Sequence, residues 1–386
     1  MAELLEVIDT LRAQDADAQR LFGKGDGEGV HARAAQRSGK LAEAAKFVGE
    51  VFQGKRPAHH LREAMTTSDF PYLFGDIIDR MMYGAYMETP QAYRNFARVA
   101  TVQDFRTVKR FALNGGESVL PAVAEQAEYP AASVGDARYS YSVKKYGRRL
   151  PFSWESIIND DLNALQDIPA RMGRAARRSE SKFVTDLYCG TTGPDGTFFA
   201  SGNANIVTSN PVLSITALQT AFKILAAQTD SDGEPITVDA VELVVPPALQ
   251  ITAQNILSAT QLWLDTNASA GTAQQNLVTA NWMAQKVRLS VDPYIPIIAS
   301  SSNGSTSWFL FASPSAGRPA IEVGFLRGHE SPEVFIKAPN ASRVGGGLDA
   351  MNGDFETDSI EYKVRHIFGG TMVDPKMAVA SNGSGS

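Results

Sequence analysis

The chain has 386 residues, 44% of them hydrophobic and 20% charged, which describes a globular protein long enough for more than one core. Its formal net charge of -6 argues against a dedicated nucleic-acid binder, which needs a concentrated basic face. Cys189 is the only cysteine, so an intrachain disulfide and a cysteine-built zinc site are excluded, and a reducing cytoplasm is expected.

In chain order, Leu4, Leu5, Val7, Ile8 and Leu11 predict a helix over residues 1–22. Its scattered charges lack the uninterrupted apolar core of a signal peptide. No apolar run approaches the ~20 residues that span a bilayer, so no membrane partner is expected. The breaker GKGDGEG follows at 23–29, then a second helix over about 40–53 that Arg56-Pro57 ends. Residues 1–67 thus read as a helical arm or scaffold-like segment. The aromatic and methionine residues of 68–98, among them Met82, Tyr83, Tyr86, Met87, Tyr93 and Phe96, read as core packing.

From 99 to 153 the period changes to that of strands. Val102, Phe105, Val108 and Phe111 lead to the turn Asn114-Gly115-Gly116, and Tyr139, Tyr141 and Val143 alternate with polar residues toward Tyr146. Pro121 and Pro130 lie between the runs, so the stretch reads as a long hairpin with a loose tip. A lone hairpin is marginal in water and needs something to rest on. Residues 153–189 turn helical, with Asp167 expected to cap a new helix, Pro169 in its first turn, and Gly190 as the stop. Met172, Ala176, Phe183 and Leu187 form its apolar stripe, opposite Arg171, Arg174, Arg178 and Lys182.

Beyond it, Ser214 opens a helix holding Leu218, Phe222 and Leu225, Val241–Val245 is a buried strand, and Pro246-Pro247 starts the next helix. Strands are expected near 286–292, 308–313, 320–327, 358–369 and 377–380, then a loose SNGSGS end. The fold class is α+β.

Local chemistry signals fail one by one. Gly23–Gly29 lacks the Gly-Lys-Ser/Thr ending of a phosphate loop. Asp230–Pro235 has proline where a calcium loop needs glycine. The five histidines show no metal-ligand spacing, and there is no Gly-x-Ser-x-Gly elbow. No catalytic residue, cofactor or metal is therefore expected, and Cys189 at a helix end reads as buried and inert. The basic run Lys144, Lys145, Arg148 and Arg149 is either a solvated strand face or a set of contacts to acids on another subunit. Glu117, Glu125 and Glu128 near the hairpin tip offer the opposite charge.

The order of elements, with LPFSWESIINDDLNALQDIPARMGRAARRSESKFVTDLYCG at 150–190, Gly193-Pro-Asp-Gly196 and VELVVPPALQ at 241–250, resembles the Hong Kong 97-type major capsid proteins of tailed phages. Phe325–Pro332 and Val364–Gly370 are similar to the Mu-type major head subunit branch. The resemblance covers about 68–381. It implies an N-arm and the start of the P-domain at 68–98, an E-loop at 99–153, and a spine helix and P-domain at 154–210. An A-domain at 211–335 and a return to the P-domain with a flexible C-terminus at 336–386 complete the map. It implies no enzyme activity, and it implies hexamers and pentamers of this chain in an icosahedral head around double-stranded DNA. Its partners would be a scaffolding protein, a portal and a decoration protein, with only non-specific proximity to DNA. The competing readings are an encapsulin-like nanocompartment shell, a tail or baseplate protein, and a cytoplasmic hydrolase with a scattered site.

Overall fold

The computed structural model describes residues 81–114, 122–123, 135–153, 162–230, 233–236, 238, 241–265, 276–314, 318–337, 340, 354–357 and 359–385. The helices expected at 1–22 and 40–53, and the three glutamates of the hairpin tip, lie outside them.

After a helical stretch at 81–88, the chain runs through β1 (Ala97–Val102), β2 (Val108–Asn114), β3 (Gly135–Tyr141), β4 (Lys144–Ser153) and α1 (Leu162–Tyr188). Then come β5 (Cys189–Gly190), β6 (Gly193–Pro194), α2 (Ile215–Ala226), β7 (Val241–Val245), α3 (Gln250–Ser258), β8 (Gln261–Asp265) and β9 (Asn276–Ala280). The remainder is α4 (Met283–Lys286), β10 (Val287–Val291), α5 (Ile295–Ile298), β11 (Trp308–Ala312), β12 (Ile321–Leu326), β13 (Glu333–Ile336), β14 (Ser359–Met372) and β15 (Ala378–Ser381). This is a mixed α+β chain.

It divides into two compact units, and the chain passes between them within β4, α1 and β14. The first holds residues 1–88, 147–175 and 332–365. Its core packs Met82, Met172 and Val364, with Leu150, Val334 and Tyr362 against them. Two glycines allow close approach: a Cβ on Gly173 would lie 2.3 Å from the Met82 carbonyl oxygen, and one on Gly147 would lie 2.6 Å from that of Val364. β13 pairs antiparallel with the first half of β14, Glu333 opposite Arg365. The Arg365 guanidinium lies over the Phe335 ring, 4.5 Å from its centroid.

The second unit holds residues 89–146, 176–331 and 366–386. In a four-stranded sheet of order β10-β7-β11-β15, every residue of β7, β11 and β15 is buried and β10 is partly exposed. On β11, period-2 alternation sends Phe309 and Phe311 into one core and Trp308 and Leu310 into another. Phe96 stacks on Phe311 at 4.8 Å, and Tyr188 meets Phe309 edge-on at 4.8 Å. A second ladder joins β1 parallel to β12, and β12 antiparallel to the second half of β14. Ile321, Val323 and Phe325 of β12 face the first core. The intervening Glu322, Gly324 and Leu326 therefore share the opposite face.

Several expectations hold. Ser214 caps α2 by accepting from the Ala217 amide, and all five residues of β7 are buried. Others need correction. Within 99–153 only β2 and β3 pair as a hairpin, since β1 pairs with β12 and β4 with β14. α1 does not restart at Asp167: it is one helix of 27 residues with Pro169 inside. Proline there removes one helical hydrogen bond at a cost of about 3 kcal/mol. Burial of Pro169 and of Met172 along the same helix works against that cost.

The core packing expected over 68–98 is divided within its described part, 81–98. Met82, Tyr86, Tyr93 and Phe96 are buried, but Tyr83 and Met87, one helical turn apart, are exposed. The expected loose end is bonded in place. The Gly385 amide donates to the Asn210 carbonyl, the Asn382 amide to the Asn210 side chain, and the Ser381 hydroxyl to the Pro211 carbonyl. The short strands β8, β9 and β13 are not among those expected from the sequence; β8 pairs with β9 as a hairpin, and β13 pairs with β14.

Candidate assembly site

The hairpin is a two-stranded sheet of its own, with Val108 opposite Tyr141 and Asn114 opposite Gly135. At its root Arg110 stands opposite Tyr139, and Tyr141 lies two residues along the same strand, so all three share one face. That face meets Glu322, whose residue surface is only 1% exposed. The Tyr141 hydroxyl donates to Glu322 Oε1 at 2.7 Å, the Tyr139 hydroxyl to Oε2 at 2.9 Å, and Arg110 Nε to Oε1 at 3.2 Å. A buried carboxyl group is costly unless its oxygens accept hydrogen bonds of this kind. Burial and the bond to Glu322 push the Tyr139 phenol up to about 12, and the same two causes raise Tyr141. Both phenols therefore remain donors at neutral pH.

Below the tyrosines, Gly324 of β12 is registered opposite Gly369 of β14. A Cβ on Gly324 would lie 2.6 Å from the Tyr141 ring, and one on Gly369 would lie 2.4 Å from the Ser142 carbonyl oxygen. The glycine pair thus makes a flat slot that residues 141–143 occupy. Val102, Tyr141, Val143, Leu326 and Ile367 close an apolar cluster around it.

Three further buried carboxylates stiffen this unit. Glu180 accepts from Gln91 at 2.7 Å and from Tyr93 at 2.8 Å, pairs with Arg177 at 3.5 Å, and meets His366 Nε2 at 2.5 Å. Asp292 Oδ2 accepts from Tyr188 at 2.5 Å and Thr185 at 2.6 Å, and Oδ1 from the Tyr294 amide at 2.8 Å. Glu242 accepts from Ser290 and from Asn95. Burial raises the Asp292 and Glu242 carboxyls above the ordinary carboxylate range, against the pull of these donors. Arg177 and the Tyr294 amide are local to the carboxyls they meet, but the other donors lie 48 or more residues away, which hid these groupings in the sequence.

Among the described residues no group of three or more His, Cys, Asp or Glu side chains is placed to hold a metal ion. Cys189 is buried, and burial with the nearby Asp292 charge pushes its thiol up to about 12, so it is not a nucleophile at neutral pH. Of the basic set, Lys144, Lys145, Arg148 and Arg149 are all exposed on β4. Arg149 pairs with Glu361 at 3.4 Å. Lys144, Lys145 and Arg148 make no ion pair among the described residues. Strand alternation puts Lys144 and Arg148 on one face, and Lys145 and Arg149 on the other. Among the described residues no helix is long and apolar enough to cross a membrane.

The family model described as phage capsid protein matches residues 138–381, from the root of the hairpin to the last strand of the core. The chain belongs to the phage capsid protein family. As a capsid protein it is a structural shell subunit that associates with its own kind, and its place is the virion capsid. Solved structures with a related outline include a protein of Gordonia phage Cozz, at 14% identity over 74% of this chain and 83% of that one, with a TM-score of 0.41. A protein of Mycobacterium phage Bobi follows at 13% identity over 75% and 88%, with a TM-score of 0.42. The holo-SrpI encapsulin complex of Synechococcus elongatus is similar at 10% identity over 74% and 85%, with a TM-score of 0.45. No match is found among curated proteins.

Proposed function

We propose that this capsid protein is the major head subunit of a tailed phage, with the Hong Kong 97-type fold, and that it closes as hexamers and pentamers around double-stranded DNA. The observation that carries the reading is the β2–β3 hairpin. It is a separate two-stranded sheet whose root is fastened through Arg110, Tyr139 and Tyr141 to one buried carboxylate. A pair of strands is not independently stable in water, so its remainder gains from lying on a second copy. Identical contacts passed from copy to copy in this way close into rings.

In this reading the β2–β3 hairpin within 99–153 supplies the E-loop, 154–210 the spine helix and part of the P-domain, and 211–335 the A-domain. Residues 68–98 and 336–386 complete the P-domain, and 1–67 form an arm or scaffold-like segment. The stretches 325–332 and 364–370 support the Mu-type branch. The exposed cations Lys144, Lys145, Arg148 and Arg149 meet Glu117, Glu125 and Glu128 of another copy. Each such pair is worth less than about 1 kcal/mol, which suits a shell that corrects its own assembly. A scaffolding protein, a portal and a decoration protein are its partners in the head.

Charge reversal tests the reading. The four cations are changed to glutamate, with or without Glu117, Glu125 and Glu128 changed to lysine, and particles are separated by sedimentation. Reversal of one set lowers the yield of shell-sized material and reversal of both restores it. Unchanged yield in the single set would reject the contact.

A further inference from the structure

Three side chains at the root of the hairpin converge on one buried residue, Glu322, and the arrangement has a direction. Its three donors come from both strands of the hairpin, Arg110 from β2 and Tyr139 and Tyr141 from β3. Contacts from both strands to one fixed point restrain the pair against twisting as well as lifting. The point itself is held by packing: Glu322 is the second residue of β12, between Ile321 and Val323, both buried in the core. Two missing side chains set the height. With glycine at 324 and 369, opposite each other in the ladder, the Tyr141 ring and the Ser142–Val143 backbone lie directly on the sheet. Any β-carbon at either position would come within 2.6 Å of them, so the chain at 141–143 would have to rise. Arg98, registered beside Glu322 on β1, adds a further cation that acts on Tyr139.

We infer that Glu322, Gly324 and Gly369 form a seat that sets the direction in which the hairpin leaves its own subunit, and through it the geometry of the contact between copies. The inference rests on the proposed role of the hairpin and names the residues that aim it. Glu322 is a positioning residue: it touches only its own chain and acts on the neighbour through Arg110, Tyr139 and Tyr141. A small error at the root grows along the strands. The seven-residue β2 spans roughly 23 Å at about 3.3 Å per residue, so a tilt of about 10° at the root moves its end by ~4 Å. That displacement approaches the spacing of neighbouring strands.

The test uses full-length chain carrying Tyr141→Phe, Glu322→Gln or Gly369→Ala, each compared with the unchanged protein. Amide hydrogen exchange over 108–114 and 135–143 reports the hold of the seat, thermal melting reports the fold, and electron microscopy reports particle diameter and closure. Tyr141→Phe, the mildest change, is expected to raise exchange in those segments about tenfold while the melting transition stays cooperative. Its particles are expected to be mixed in diameter or open, and Gly369→Ala particles more so. Particles of unchanged diameter and closure despite faster exchange would show that the seat is structural only and overturn the inference. Unchanged exchange would overturn it too. If the unchanged protein itself forms no closed particles, the proposed shell function fails, and that outcome is distinct from a difference between variant and parent.

Discussion

Removing the Tyr188 hydroxyl isolates one buried bond. The residue has no exposed surface, and its ring packs edge-on against Phe96, Phe309 and Phe311. Tyr188→Phe keeps those ring contacts and deletes only the 2.5 Å donation to Asp292. Asp292 keeps the Thr185 hydroxyl and the Tyr294 amide, so the carboxylate is weakened and not orphaned. A hydrogen bond to a charged group is worth about 1.5–3 kcal/mol, and a unit of this size melts ~2–4 °C lower per kcal/mol. The expected drop is therefore about 3–12 °C at pH 7.5.

The loss also depends on pH with a definite sign. Burial already raises the Asp292 carboxyl, and the Tyr188 donor pulls it down, so its removal raises it further. A carboxyl with a raised folded value binds its proton more readily in the fold than in the unfolded chain. Stability therefore grows as pH falls through the folded value toward the ordinary one. The variant's deficit should be smaller at pH 5.5 than at pH 7.5. Scanning calorimetry of parent and variant at both values measures this. An unchanged midpoint, or a larger deficit in acid, would refute the account of Asp292.

Other substitutions follow from the same geometry. Ser214→Ala deletes the cap on the Ala217 amide and should cost about 0.5–2 kcal/mol in chemical denaturation, with Ser214→Thr close to neutral. Phe311→Ala empties the centre of the aromatic cluster and should cost about 3–5 kcal/mol, enough to abolish soluble expression at 37 °C in a marginally stable chain. Glu242→Gln removes a carboxyl that burial raises, so its melting midpoint should gain less than the parent's on lowering pH from 7 to 5.

Local signals and distant ones were not equally legible in the sequence. β7 and α2 were readable because their causes are adjacent: a run of apolar residues between prolines and polar turns, and a serine three residues before the amide it caps. α1 was legible as an amphipathic helix, yet its continuity through Pro169 depends on burial that a local rule does not see. The hairpin was expected, but its neighbours β1 and β4 were assigned to it. Their true partners, β12 and β14, lie more than two hundred residues along the chain. The seat was hidden for the same reason. Glu322 and Gly324 break an apolar strand in the sequence Ile-Glu-Val-Gly-Phe, and only the register with Gly369 gives them a shared purpose. The exposed basic run on β4 was legible because charged side chains are seldom fully buried, and all four of its cations are exposed.

The most direct measurement of the central claim is electron microscopy of the full-length chain, expressed alone and with the scaffolding protein proposed as its partner. The account predicts round, closed particles of uniform diameter built from rings of five and six copies. A preparation that stays monomeric at high concentration, or that assembles only into open tubes, would contradict it.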